Sequence, residues 1–124
     1  MSMLEKDIEA AVNRHGRETG WLSYKFVSPG KRGVPDRIYF MKGHTLCIEY
    51  KAFNRKTTAL QEKEIRALRK AEITCYVIDN ITEGKDVLDT LRDLWQESPN
   101  RILAEKKYRR YEIIFNLALD ILTE

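Results

Sequence analysis

The period of the apolar positions changes repeatedly along this chain, and each change marks the edge of an element. From Leu4 to about Thr19, the residues Leu4, Ile8, Ala11 and Val12 recur at i, i+4, i+7 and i+8, the apolar face of an amphipathic helix. Gly20 ends it, and Trp21 to Val27 is an aromatic-rich alternating run that reads as a strand. After the loop Ser28-Pro29-Gly30-Lys31-Arg32-Gly33, two further strand-like runs, 37–41 and 45–50, are joined by Lys42-Gly43-His44, a spacer short enough for an antiparallel hairpin. Thr57 or Thr58 opens a second helix to about Lys70, with Leu60, Ile65 and Leu68 inward. Ile73 to Ile78 is unbroken and β-branched-rich, as expected of a strand buried on both faces. Thr82 is a candidate cap for a third helix striped by Val87, Leu88, Leu91, Leu94 and Trp95. The predicted order is αβββαβα, an α/β fold.

Ser98-Pro99-Asn100 breaks that helix, and residues 101–122 resume a helical pattern. Between Ile113 and Leu122 only Asn116 and Asp120 are polar, so this last helix needs cover on more than one side. Two covers are open: the core of its own domain, or a second copy of the chain in a homodimer. The expected organisation is a core over residues 1–97 and a helical extension over 98–124.

Composition narrows the class. A chain of 124 residues, 43% of them hydrophobic, has material for one domain with a real core and none for a second. No apolar run approaches the roughly 20 residues of a membrane span, and the N-terminus is charged rather than signal-like, so a cytosolic protein is expected. Cys47 and Cys75 lie singly in apolar runs, without the spacing of a zinc site or a disulfide framework, and read as reduced core residues.

The net charge of +3 is unevenly spread. Residues 14–70 carry fourteen Lys and Arg against five Asp and Glu, whereas the segments on either side are net acidic. Such a concentration suits a polyanion, nucleic acid above all, through phosphate contacts and counterion release. A solvated lysine-rich surface is the plain alternative.

Inside the basic region stands the one constellation with chemistry in it. Gly33-Val34-Pro35-Asp36 precedes the second strand, and Glu49-Tyr50-Lys51 ends the third. By the period of two, Glu49 and Lys51 share a strand face, and the hairpin brings Asp36 toward them. Two carboxylates suit a hard cation that polarises a phosphoryl oxygen and generates hydroxide, while an adjacent ammonium can orient or deprotonate the attacking water. The same residues also have ordinary explanations: Asp36 as a turn residue after Pro35, Glu49 and Lys51 as the solvated side of an edge strand. Lys25, Ser28, Lys31 and Arg32 flank the loop into Asp36, where the amides of Gly30 and Gly33 can approach a phosphate, and Arg55, Lys56 and Lys63 follow Lys51. Each singly reads as a surface cation or loop residue; together they form a candidate DNA track.

The run Lys25-Phe26-Val27-Ser28-Pro29-Gly30, then Gly33-Val34-Pro35-Asp36-Arg37-Ile38, Ile48-Glu49-Tyr50-Lys51 and Gln61 closely resembles the VRR-NUC (virus-type replication-repair nuclease) family of the PD-(D/E)xK nuclease superfamily, over about residues 4 to 90. The resemblance implies a restriction-endonuclease-like mixed sheet flanked by helices and Mg²⁺- or Mn²⁺-dependent cleavage of DNA. For small stand-alone members it implies selectivity for branched DNA such as Holliday junctions, often as homodimers, in DNA repair. It makes Asp36, Glu49 and the backbone carbonyl of Tyr50 metal ligands, and Lys51 the catalytic lysine. It also puts Gln61 in the site, although Thr58-Ala59-Leu60-Gln61 is equally a helix capping box. A metal-side glutamate is implied on the first helix: register favours Glu5, with Glu9 one turn on as the other candidate. Two rivals stay open, a non-catalytic nucleic-acid-binding module and a restriction-like, sequence-specific nuclease.

Overall fold

The computed structural model describes residues 4–95; the extension at 98–124, and any dimer contact through it, lies outside the described residues. The elements follow the expected order: α1 (Glu5–Glu18), β1 (Leu22–Lys25), β2 (Arg37–Met41), β3 (His44–Tyr50), α2 (Ala59–Lys70), β4 (Thr74–Ile78) and α3 (Ile81–Trp95). The strands form one sheet in the order β1-β2-β3-β4, antiparallel through β3 and parallel between β3 and β4. The fold is therefore α/β with a mixed sheet. Lys42 and Gly43, at φ of 48° and 85°, make the two-residue turn that matches strand twist and sets Met41 opposite His44. A parallel return to β4 needs a crossover, and α2 supplies it.

Pleating divides the core in two. Toward α1 and α3, the sheet presents Tyr39, Met41, Leu46, Ile48, Tyr50 and Ile78 to Ile8, Val12 and Leu88. Toward α2, Cys47 and Cys75 pack with Ile65, Ile38 and Leu68. Both thiols are free and buried, and burial pushes Cys47 up to about 12 and Cys75 to about 11, so they remain protonated core groups.

Three local expectations change. β4 is an edge strand of the described sheet, and Tyr76 on it is 39% exposed, so the apolar run at 73–78 is covered on one face better than on the other. Leu60 points outward at 53% exposed; the first buried apolar side chain of α2 is Ile65. α3 begins at Ile81 rather than after Thr82, because Asn80 Oδ1 accepts the Glu83 N–H at 2.8 Å.

α3 packs tightly on α1 at Gly84, where an added Cβ would lie 2.5 Å from Val12 Cγ2. Alanine normally favours a helix over glycine by about 1 kcal/mol. Here overpacking against a β-branched, fully buried Val12 costs about 1–3 kcal/mol and outweighs that gain. Gly84→Ala is expected to lower stability, by about 1 kcal/mol net in denaturant titration; a stabilised variant would contradict the packing.

Candidate active site

The β2–β3 register places Arg37 opposite Ile48, so Asp36 lies one step beyond the last pair, beside Glu49-Tyr50. Its backbone carbonyl accepts the Phe26 N–H at 2.9 Å, and its Oδ2 accepts the Tyr50 N–H at 2.7 Å. Glu49 and Lys51 sit on the α2 side of β3. The strand end is fixed by β4, with the Lys51 N–H donating to the Ile78 carbonyl at 2.9 Å. Beyond it, Asn54 takes a positive φ of 62°, and its N–H donates to Asp79 Oδ2 at 3.0 Å.

Glu49 is 2% exposed, rare for a carboxylate. Gln61 Nε2 donates to its Oε2 at 2.9 Å, and Lys51 Nζ stands 3.5 Å from the same oxygen. Its Oε1 is buried with no hydrogen-bond partner. Burial, and then the neighbouring Asp36, push the Glu49 carboxyl up to about 7 against the pull of Lys51. Burial also raises Asp36, despite its bond from Tyr50. Lys51 alone does not neutralise this pair, so the pocket favours added positive charge, either a proton or a cation.

Gln61 makes the capping box and a bond to Glu49 at once. Its Oε1 accepts the Thr58 N–H at 2.9 Å and its own N–H donates to Thr58 Oγ1 at 3.2 Å, completing the capping box, while its Nε2 reaches Glu49. One amide thus ties the start of α2 to the site.

On α1 the two candidates separate. Glu9 Oε2 accepts from Lys25 Nζ at 2.6 Å and from Arg37 Nε at 2.9 Å; burial pushes its carboxyl up, but these bonds outweigh it and hold it below the usual range. Arg37 continues to Ser23 Oγ at 3.3 Å, and Ser23 to Asn13. Glu9 therefore belongs to a polar network tying α1 to β1 and β2, which sequence reasoning missed because no local spacing links its members. Glu5 is exposed and is raised by partial burial, then by Asp36, which places its carboxylate in the field of the site.

The candidate DNA residues divide similarly. Lys25 is paired with Glu9, and Lys31 Nζ lies 3.6 Å from Glu64. Ser28 accepts the Lys31 N–H through its carbonyl, and Gly30 (φ 78°) borders open space. Arg32, Arg55, Lys56 and Lys63 are exposed. The close approach at Gly33 is made with the Leu60 carbonyl of α2.

Among the described residues, no three His, Cys, Asp or Glu side chains gather as a ready-made metal cage. Two carboxylates, one with an unpaired buried oxygen, nevertheless fit a hard cation that keeps several waters and takes only one or two protein carboxylates. The residues present fit such an ion.

A raised carboxylate gives a signed pH dependence. Folded Glu49 keeps its proton up to about 7, while in the unfolded chain it is released near the ordinary glutamate value of about 4.5. The folded state thus binds the extra proton between about 4.5 and about 7, and metal-free stability should fall as pH rises through that window. Thermal melts in chelator should show this decline and a flatter profile for Glu49→Gln; an unchanged slope in the variant would contradict the assignment.

No family model matches the chain. A "Putative nuclease p44" of Acyrthosiphon pisum secondary endosymbiont phage 1 is 43% identical over 61 residues, covering 48% of this chain and 66% of that protein, just under two thirds of its length. A solved structure titled "VRR_NUC domain" superposes with a TM-score of 0.65 at 21% identity, covering 68% of this chain and 94% of that one. The chain has the fold of the VRR_NUC domain, and half of its sequence is similar to that of a protein named as a nuclease.

Proposed function

We propose that this chain is a metal-dependent endonuclease that hydrolyses DNA phosphodiesters. The observation that carries the reading is Glu49: a carboxylate 2% exposed, beside a second carboxylate, with one oxygen unpaired and the other held by Gln61 and faced by Lys51. Buried carboxylate oxygens are ordinarily hydrogen-bonded, so one left over calls for a functional explanation. The VRR_NUC fold and the nuclease relative support the same reading.

Asp36, Glu49 and the Tyr50 carbonyl would hold Mg²⁺ or Mn²⁺, with Glu5 joining from the first turn of α1. The bound ion would supply Lewis-acid polarisation of the phosphate and a more acidic water. Lys51, its side chain 11% exposed, would orient the attacking water, accepting its proton only as the neutral amine, and as the ammonium would stabilise charge developing on the phosphate. Gln61 keeps Glu49 turned so that Oε1 remains free. Arg32, Arg55, Lys56 and Lys63 are the exposed cations that would track the DNA backbone.

Selectivity for branched DNA, Holliday junctions included, follows if a homodimer holds two such sites, because a four-way junction offers paired scissile phosphates. The relative's phage origin fits action in a host cytosol.

Incubation of labelled linear, flap, splayed and four-way DNA with Mg²⁺ or Mn²⁺ tests the reading. Cleavage is expected to require metal and to favour the branched substrates. Lys51→Ala is expected to lose about 10²–10⁴-fold in rate while retaining DNA binding. Metal-dependent binding without cleavage of any substrate would favour a non-catalytic module, and cleavage at one linear sequence a restriction-like enzyme.

A further inference from the structure

The first turn of α2 carries Gln61, yet it has no apolar anchor of its own. Thr58, Ala59 and Leu60 are exposed, and the first buried apolar side chain of the helix is Ile65, a full turn beyond Gln61. A helix start held only by its capping box would fray, and with it the Gln61–Glu49 bond.

The turn instead rests on the loop that leads into Asp36. Gly33 takes φ +87°, and a Cβ added there would lie 2.7 Å from the Leu60 carbonyl oxygen and 2.8 Å from its carbon. Both are backbone atoms of the helix start and cannot swing aside. One turn further on, Glu64 is buried to 9% exposure on the same side as Gln61, and its Oε2 meets Lys31 Nζ at 3.6 Å. The loop therefore touches α2 twice, with Gln61 between the two contacts in sequence.

We propose that Gly33 and the Lys31–Glu64 pair are positioning elements: they dock the Asp36 loop onto the first two turns of α2 and so keep the Gln61 amide on Glu49. This rests on the nuclease reading for its activity readout, but the docking has a readout of its own. The glycine is required because the helix backbone occupies the place of its side chain, and the lysine acts through Glu64 rather than through a phosphate.

The test combines rates with a signal from Gln61. In Gly33→Ala, kcat is expected to fall about tenfold to a hundredfold, as for a small misplacement of a catalytic constellation, with KM for DNA nearly unchanged. Adding Gln61→Ala to it should cost little more, because both changes remove the same interaction. In ¹⁵N spectra the Gln61 side-chain amide, assigned by its loss in Gln61→Ala, should move to the position of a free amide in Gly33→Ala. If Gly33→Ala does not fold, the charge swap decides: Lys31→Glu alone should lower kcat, and Lys31→Glu with Glu64→Lys should restore it to within about twofold. Additive effects of Gly33→Ala and Gln61→Ala, an unmoved amide signal, or a swap that stays as impaired as Lys31→Glu would overturn the proposal. A wild-type protein inactive on every DNA would sink the nuclease reading instead, and the amide signal would still decide the docking.

Discussion

Burying one carboxylate beside another is the constraint around which the site is built. Two negative groups drawn out of water repel, and each loses hydration worth several kcal/mol. The structure offsets this piecemeal. Asp36 receives the Tyr50 N–H, Glu49 receives the Gln61 amide, and Lys51 stands near the same Glu49 oxygen. The compensation is incomplete: Glu49 Oε1 has no partner, and both carboxyls are raised. A folded protein that retains such a deficit stores a preference for positive charge at one point.

Each element around the pair can be understood from this requirement. β3 is the strand where the sheet changes from antiparallel to parallel pairing, so its end receives β2 on one side and β4 on the other. The antiparallel neighbour brings Asp36, whereas the parallel neighbour fixes the backbone of Lys51 through Ile78. The parallel step demands a crossover, and the crossover helix begins with the amide that grips Glu49. On the far side of the sheet, Glu9 binds Arg37, the residue after Asp36, and so anchors the start of β2 to α1. Its two cationic partners make it a poor metal ligand and a good brace. The pairing separates Glu9 from Glu5, which lies in the field of Asp36, a difference that sequence spacing does not show.

Much of this was legible in the sequence, for local reasons. The element order follows from apolar period, the hairpin from a two-residue turn between strands, and the shared face of Glu49 and Lys51 from pleating alone. Gln61 was legible as a cap, and its amide, having an acceptor and a donor to spend separately, also bonds Glu49. The cap of α3 was legible but misread: Asn80-Ile81-Thr82-Glu83 carries the same cap-and-acid spacing, and asparagine competes well with threonine for that position. What local pattern could not supply was tertiary. Nothing near Glu9 in the chain names Lys25 or Arg37, and nothing in Leu60's helical spacing shows that its side chain is left exposed.

Gly33 shows how these two kinds of information meet. A glycine two residues before Pro35-Asp36 invites the reading of a backbone kept bare for a phosphate. The structure fills that space with the Leu60 carbonyl, so the absence of a side chain serves contact within the protein. The positive φ makes the same demand independently, since an L side chain is strained there whatever lies beside it. Both demands fall on the segment that must deliver Asp36, and they are met against the helix that delivers Gln61. The two halves of the site, one from the β1–β2 loop and one from the crossover helix, are therefore not placed independently, and a change in either contact surface should be felt at Glu49 without touching it.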